Sequence, residues 1–294
     1  MMQGFDSLPM VRDTFIEASD VLSQDIWQMV TAGTPEQLGL TVNTQPVMLA
    51  AGVASYRAWL GQHGQPPEIM AGHSLGEYSA LVAAGALLFA DALPLVRLRA
   101  EAMQDAVAEG VGAMAAILGL DDDVVRVVCA EAAQGEVLEP VNFNSPGQVV
   151  IAGNKAAVER GMILAREKGA KRALLLPVSV PSHCALMRPA AEQLAAYLES
   201  VTINPPQIPV LHNADVMAYS DPAQIRSALA RQLYSPVRWV ETVRAMAAQG
   251  VTHTVECGPG KVLAGLNKRI DNNIQAYALT SADAIDQIKS ELAG

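Results

Sequence analysis

The sequence IMAGHSLGEY at residues 69–78 contains the pattern Gly-x-Ser-x-Gly, with Gly72 and Gly76 on either side of Ser74. Residues 68–71 form a short apolar segment that predicts a strand, while residues 75–88 predict a helix. A serine at such a junction lies in a turn so sharp that neighbouring side chains would collide, which favours glycine at both flanking positions. The turn would present the Ser74 hydroxyl as a nucleophile. A glycine-rich turn whose serine only caps the helix is the structural alternative.

A serine nucleophile needs an oxyanion donor and a base. The helix after Ser74 would direct its N-terminus at the site, so the Leu75 N–H could stabilise a developing oxyanion. His73 directly precedes the nucleophile and is expected to have a positioning role, and His63 falls in a polar loop. The remaining histidines each stay open as the base: His183, His212 and His253.

Helical and strand patterns alternate along the rest of the chain. Residues 10–30 predict one amphipathic helix, and residues 45–60 predict another. Between residues 112 and 176 the predicted order is β-α-β-β-α-β, which is that of a ferredoxin-like unit. We therefore predict an α/β fold. A large subdomain with a mostly parallel sheet would comprise residues 1–109 and 181–294, and a small ferredoxin-like subdomain, residues 110–180, would be inserted into it.

Composition excludes several classes of protein. With 51% hydrophobic and 17% charged residues among 294, the chain should fold around a well-filled core. Its formal net charge of −10 disfavours non-specific nucleic-acid binding. The longest apolar run, residues 80–90, is too short to span a membrane, and the first residues show no secretory signal. Cys129, Cys184 and Cys257 are widely spaced, which predicts buried thiols rather than disulfides or metal ligands.

Residues 72–80 (GHSLGEYSA) resemble the active-site segment of the malonyl-CoA:acyl carrier protein transacylases of bacterial fatty-acid synthesis. The resemblance covers nearly the whole chain, through GAM at 112–114, VNFNSPGQ at 141–148, PSHC at 181–184, RQLY at 231–234 and ECGPG at 256–260. It implies an α/β-hydrolase-like large subdomain and transfer of a malonyl group from malonyl-CoA to the phosphopantetheine thiol of acyl carrier protein. We expect a cytoplasmic monomer without a bound cofactor or metal ion.

The resemblance implies a role for each matching residue. Ser74 would be the nucleophile and His183 its base, oriented by the backbone carbonyl of Gln232. Arg99, rather than Arg97, would pair with the malonyl carboxylate. The other positions that match the family's site are His73, Leu75, Asn142 and Asn144.

The carrier protein of this family is acidic, and so is this chain, so docking would require a local cationic patch. The densest cluster of cations is at residues 166–172 and includes Lys171 and Arg172, and Lys268 with Arg269 forms a second. An ordinary solvated surface is the alternative for either cluster.

The chain departs from the family at its start. The family opens with a strand and a Gly-Gln-Gly-Ser-Gln loop that supplies a second oxyanion donor, and Gln3-Gly4 does not match that loop. An upstream start or a truncated record would explain the difference, and a short form with little or no activity is the alternative. Two further functions remain open: a serine thioesterase or esterase, and a trans-acting acyltransferase that serves a polyketide synthase.

Overall fold

The computed structural model describes residues 2–178 and 180–292. Its helices are α1 (Pro9–Leu22), α2 (Ile26–Ala32), α3 (Pro35–Gly39), α4 (Thr41–Gly61), α5 (Gly76–Ala83), α6 (Phe89–Asp105), α7 (Asp122–Ala133), α8 (Lys155–Glu167), α9 (Arg188–Leu198), α10 (Pro222–Gln232), α11 (Trp239–Ala248), α12 (Val262–Ile270) and α13 (Ala282–Leu292). Its strands are β1 (Met70–Ala71), β2 (Gly112–Leu118), β3 (Leu138–Ser145), β4 (Gln148–Asn154), β5 (Arg172–Leu175), β6 (Val210–Leu211), β7 (His253–Cys257) and β8 (Gln275–Leu279).

Two pairs of parallel strands lie outside the region 112–175. In one pair β1 runs beside β6, with Met70 opposite Val210, and in the other β7 runs beside β8, with His253 opposite Gln275. The predicted parallel pairing is confirmed. Among the described strands the two pairs are separate, since no backbone ladder joins β1 or β6 to β7 or β8.

The strands between residues 112 and 175 form one antiparallel sheet in the order β3-β4-β2-β5. The β-α-β-β-α-β succession predicted from the sequence is confirmed, since α7 and α8 fall between the expected strands. Buried side chains such as Ala115, Val149 and Ile151 pack one face of this sheet against the two helices. The proposed subdomain limits, residues 110 and 180, stay a prediction.

The strand β3 is also attached to the chain that precedes α11. The Phe143 N–H donates to the Val237 carbonyl oxygen at 3.0 Å, and the Val237 N–H donates to the Val141 carbonyl oxygen at 2.8 Å. These bonds attach the antiparallel sheet to the segment between α10 and α11. Because Asn142 and Asn144 lie on β3, the same attachment brings them to the side of the molecule where the serine turn lies.

The prediction of a single helix over residues 10–30 was wrong. The helix α1 ends at Leu22, where Ser23 adopts a left-handed conformation with φ 50°. Asp25 then caps α2, since its side chain accepts a hydrogen bond from the Gln28 N–H. The short polar side chains in this stretch offer local hydrogen bonds that compete with a continuous helix. The spacing of the apolar residues does not change at the break, so a prediction based on that spacing misses it.

The cysteines are free thiols, with Cys129 and Cys184 buried and Cys257 half-buried. Burial raises the pKa of each thiol to about 12, so all three stay protonated at neutral pH. In the described part of the chain, no group of three or more His, Cys, Asp or Glu side chains could hold a metal ion. No described helix is both long and apolar enough to cross a membrane.

Candidate active site

Ser74 lies on a strained turn between β1 and α5. Its φ of 51° is in the left-handed region, which is uncommon for a residue with a side chain. A Cβ atom on Gly72 would lie 1.9 Å from the Gly76 carbonyl oxygen, so only glycine fits at position 72. A Cβ atom on Gly76 would meet nothing within 4 Å. The expectation of a steric need for glycine at both positions is therefore wrong for Gly76, because this first residue of α5 faces open space.

The imidazole of His183 is within hydrogen-bonding distance of the serine hydroxyl. Ser74 Oγ lies 2.8 Å from His183 Nε2, and His183 Nδ1 lies 2.8 Å from the backbone carbonyl oxygen of Gln232. A carbonyl oxygen only accepts, so Nδ1 carries the proton and Nε2 is free to accept from the Ser74 hydroxyl. The arrangement contains a nucleophile, a base and an orienting group in sequence.

The imidazole of His183 is neutral at physiological pH. Its side chain is buried, and this burial, followed by the positive charge of Arg99, lowers the pKa of His183 to about 3. A neutral imidazole can take the serine proton, whereas an imidazolium could not. The spacing of residues left three histidines open as the base, and in the structure His183 is the one that contacts Ser74.

Arg99 is buried beside the nucleophile, on α6. Its Nη1 donates to Gln45 Oε1 at 2.8 Å, and its Nη2 donates to Gln232 Oε1 at 2.9 Å and to Ser74 Oγ at 3.2 Å. All three partners are neutral, and no described carboxylate forms an ion pair with this guanidinium. Its Nε has no hydrogen-bond partner in the described residues. Burial lowers the pKa of Arg99, which nevertheless stays charged at any physiological pH.

Arg97 lies away from the site, although it is only two residues from Arg99. Its guanidinium donates to the side chain of Gln24 and to the Leu22 carbonyl oxygen near the end of α1. Because residues two apart on a helix face different directions, the structure separates the two candidates that the sequence pattern alone did not distinguish.

Three further residues from the sequence prediction are His73, Asn144 and Asn142. His73 Nε2 donates to Asn144 Oδ1 at 2.8 Å, which connects the serine turn to β3, and the His73 ring lies 5.6 Å from that of Trp239. Loss of solvation lowers the pKa of His73, which favours its neutral form. Asn142 is buried one step along the same strand and pairs through its backbone with Val237.

Leu75 follows the nucleophile at the N-terminus of α5. The described residues supply no acceptor for its backbone N–H, whereas the next N–H, of Gly76, donates to the His73 carbonyl oxygen at 2.9 Å. A free N–H at a helix N-terminus beside the nucleophile is suited to hold a negative oxygen.

Lys171 and Arg172 are not part of this cluster. Both side chains are exposed, where the chain enters β5, at the edge of the antiparallel sheet. The Lys171 N–H donates to the Leu118 carbonyl oxygen, and neither residue forms a hydrogen bond with the residues around Ser74.

Several polar residues around the site were not predicted from the sequence. They are Gln45, Glu77 and Asn213, together with the side chain of Gln232. His212, which the sequence left open as the base, contacts Glu77 instead of Ser74. Glu77 did carry a signal, since it is the one charged residue in the otherwise apolar or small sequence of α5, GEYSALVA. A charge that the fold buries must be satisfied by partners, and such partners often belong to a site.

Comparison with known proteins agrees with this geometry. The acyl transferase domain family matches residues 5–283 of the chain. This chain belongs to the acyl transferase family. The malonyl CoA-acyl carrier protein transacylase of Escherichia coli K12, a curated relative, is 57% identical over 279 residues, which cover 95% of this chain and 90% of that protein.

Solved structures of the same family have the same fold. The acyl-carrier-protein S-malonyltransferase of Burkholderia pseudomallei 1710b superposes with a TM-score of 0.97 at 57% identity, covering 98% of this chain and 94% of that one. A malonyl-transacylase solved with a type II PKS acyl-carrier protein superposes with a TM-score of 0.96 at 53% identity, covering 97% of this chain and 91% of that one. The predicted α/β fold class is therefore confirmed.

Proposed function

We propose that this acyltransferase moves the malonyl group from malonyl-CoA to the phosphopantetheine thiol of an acyl carrier protein in fatty-acid biosynthesis. The observation that carries the proposal is the Arg99 guanidinium, which is 1% exposed, has no carboxylate partner among the described residues and lies 3.2 Å from Ser74 Oγ. A buried cation without an anion is costly, and a carboxylate on the substrate would supply that anion. The names of the relatives point to the same reaction.

In the first half-reaction, Ser74 Oγ attacks the thioester carbonyl carbon while His183 Nε2 takes the hydroxyl proton. The Leu75 N–H donates to the oxygen that becomes negative. When the carbon–sulfur bond breaks, the imidazolium of His183 returns the proton to the departing sulfur of CoA. The product is a malonyl ester of Ser74 and free CoA.

In the second half-reaction, the phosphopantetheine thiol of the carrier protein gives its proton to His183, and its sulfur attacks the ester carbonyl carbon. Collapse of the tetrahedral intermediate releases Ser74 Oγ, which recovers the proton from His183. Both halves use the same base because the ester and the thioester react at the same carbon. CoA leaves before the carrier protein reacts with the malonyl ester, so the transfer is of the ping-pong type.

Arg99 would select the acyl group. A guanidinium can hold a carboxylate through two parallel hydrogen bonds, which an ammonium cannot reproduce. The malonyl carboxylate would replace neutral partners of Arg99, whereas an acetyl group would leave the charge unpaired. The carboxylate would also offset the positive charge that lowers the pKa of His183, which favours the imidazolium that forms during the reaction.

We place the carrier protein on the exposed cations Lys171 and Arg172, and we propose that the enzyme acts as a cytoplasmic monomer without a bound cofactor. Residues 110–180 would form a small subdomain. Two of its residues, Asn142 and Asn144, would lie on the approach to Ser74, with Asn144 bound to His73.

Intact-mass spectrometry tests the proposal directly. Incubation with malonyl-CoA should add one malonyl group to the protein, and the Ser74→Ala variant should remain unmodified. Addition of phosphopantetheinylated carrier protein should then discharge the adduct as malonyl-carrier protein faster than free malonate forms. Release of free malonate as the main product would favour a thioesterase instead. A wild-type chain that forms no adduct would favour the inactive form.

A further inference from the structure

The strongest unassigned feature is the carboxylate of Glu77, three residues after the nucleophile. Its side chain is completely buried. One carboxylate oxygen, Oε1, lies 2.7 Å from His212 Nδ1. The other, Oε2, accepts from the Asn213 N–H and from Gln232 Nε2, both at 2.9 Å. Three donors on two separate parts of the chain thus converge on one carboxylate that does not touch Ser74 Oγ or His183.

Asn213 connects Glu77 to the nucleophile. Its Oδ1 accepts from the Ser74 N–H at 2.7 Å, and its Nδ2 donates to the Gly72 carbonyl oxygen at 2.6 Å. One amide group therefore holds the strained turn on both sides of His73. The backbone N–H of the same asparagine is fixed by Glu77 at 2.9 Å, so the carboxylate sets the position of that amide.

Gln232 connects Glu77 to the base and to the cation. Its Nε2 donates to Glu77 and, at 3.0 Å, to the Ser74 carbonyl oxygen. Its Oε1 accepts from Arg99 Nη2 at 2.9 Å, and its backbone oxygen lies 2.8 Å from His183 Nδ1. Glu77 thereby fixes the orientation of the Gln232 side-chain amide, because a carboxylate only accepts and the nitrogen of that amide must face it.

We propose that Glu77 is a positioning residue, which holds the Ser74 turn, the His183 orienter and Arg99 in one mutual geometry through Asn213 and Gln232. His212 supplies the third hydrogen bond to the carboxylate. This inference rests on the proposed function only in taking Ser74 as the nucleophile. Since the reaction requires Oγ and Nε2 to stay at hydrogen-bonding distance, a small displacement of either element should slow the reaction of Ser74.

Glu77→Met is the informative substitution, since it keeps the length of the side chain and removes both carboxylate oxygens. The N–H groups of His212, Asn213 and Gln232 that face Glu77 then lose their acceptor in a buried site. We expect the folded variant to react with phenylmethanesulfonyl fluoride at least about tenfold more slowly at Ser74 than the wild type does. In that reaction the Oγ–S bond forms, fluoride leaves and the hydroxyl proton passes to His183.

Leu198→Ala is the matched control for a loss of stability alone. Leu198 is fully buried on α9 and forms none of these hydrogen bonds, so the variant should unfold at lower temperature and still be modified at the wild-type rate per folded molecule. If Glu77→Met also retains the wild-type rate per folded molecule, the carboxylate is only structural and the proposal is overturned.

His212→Ala provides a second variant if Glu77→Met does not fold. It removes one of the donors to Glu77 and leaves the bonds from Asn213 and Gln232 in place. We expect a smaller decrease, of about threefold to tenfold, in the rate at which Ser74 is sulfonylated. An unchanged rate in this folded variant would overturn the proposal. Because the probe is not a substrate, failure of the wild type to accept malonyl-CoA would refute the proposed function and leave this comparison intact.

Discussion

At the scale of single residues, the site is defined by one guanidinium and one imidazole on either side of a hydroxyl. Arg99 and His183 are both buried, and both contact Ser74 Oγ. The charge of Arg99 influences the protonation of His183 because little solvent separates them. The two roles that we propose, acyl selection by Arg99 and proton transfer by His183, can therefore be measured separately.

Replacement of Arg99 by Ala should lower kcat/KM for malonyl-CoA by about 100-fold, since loss of one partner of a buried charge pair costs about 2–5 kcal/mol. Acylation by acetyl-CoA should change much less, because acetyl offers no carboxylate. Rapid-quench mass spectrometry of the Ser74 adduct with each thioester gives both rates. Arg97→Ala, two residues away on α6, is the matched control and should behave as the wild type. An equal loss for both thioesters would contradict a role in selection.

The protonation of His183 should depend on Arg99. Burial and the Arg99 charge lower its pKa to about 3, so the wild-type imidazole should not titrate above about pH 5. In Arg99→Gln a nearby positive charge is removed, which favours the imidazolium, so the pKa of His183 should rise. Burial remains, so the pKa should stay below that of a free imidazole. A nitrogen-15 NMR titration of the histidine side chains measures the shift, and the same pKa in both proteins would contradict the coupling.

At the scale of elements, the β1–turn–α5 unit explains how a short sequence pattern presents a nucleophile. The left-handed conformation of Ser74 is sustained by the hydrogen bond that its N–H donates to Asn213 Oδ1 and by the absence of a side chain at position 72. The strand is only two residues long, so its own ladder with β6 is a weak support for the turn. The side-chain hydrogen bonds from outside the unit therefore stabilise the turn more than the ladder between β1 and β6 does.

The two glycines of the turn should respond differently to substitution. Gly72→Ala places a Cβ atom 1.9 Å from the Gly76 carbonyl oxygen, and we expect it to lower the free energy of unfolding by more than about 3 kcal/mol. Gly76→Ala meets open space at the start of a helix, where alanine is intrinsically favoured over glycine. Gly76→Ala should either change the free energy of unfolding by less than about 0.5 kcal/mol or increase it. Urea unfolding checks both, and equal losses would contradict this reading of the turn.

The order of elements could be predicted from the sequence more fully than their ends. Periodicity and glycine positions located the antiparallel unit because each of its elements has a pattern of its own, as in β2 and α7. The break after Leu22 was missed because it depends on the left-handed backbone of Ser23, which ends α1, and on the side chain of Asp25, which caps α2. Both features are local and leave the apolar pattern of the longer stretch unchanged.

At the scale of the whole molecule, recognition of the carrier protein is a question of charge distribution. The chain has a formal net charge of −10, so an acidic partner would be repelled except where cations are concentrated. Lys171 and Arg172 lie at an edge of the antiparallel sheet, separate from the hydrogen bonds that organise the site. Their replacement can therefore change the encounter with the carrier protein without changing the first half-reaction.

Reversal of both charges, Lys171→Glu with Arg172→Glu, should raise KM for the carrier protein by about tenfold at low salt, and the increase should shrink as salt is added. The rate of Ser74 acylation by malonyl-CoA should be unchanged. Lys155→Glu reverses one exposed charge at the opposite end of α8 and shows the effect of half that change in net charge outside the patch. A normal KM for the carrier protein would show that this patch is not the docking site. The same substitutions at Lys268 and Arg269 would then test the second cluster.

The sequence by itself determined the strand–turn–helix around Ser74, the β-α-β-β-α-β order and the family resemblance, because each depends on residues close together in the chain. The residue pattern alone left three histidines and two arginines open; the resemblance implied His183 and Arg99, and the tertiary structure shows their contacts with Ser74. Ser74 and His183 are separated by 109 positions, and Glu77 and Gln232 by 155, so no local pattern records these contacts. Only the tertiary fold, in which buried charges and hydrogen-bonding groups must be satisfied among the residues present, brings these side chains into one site.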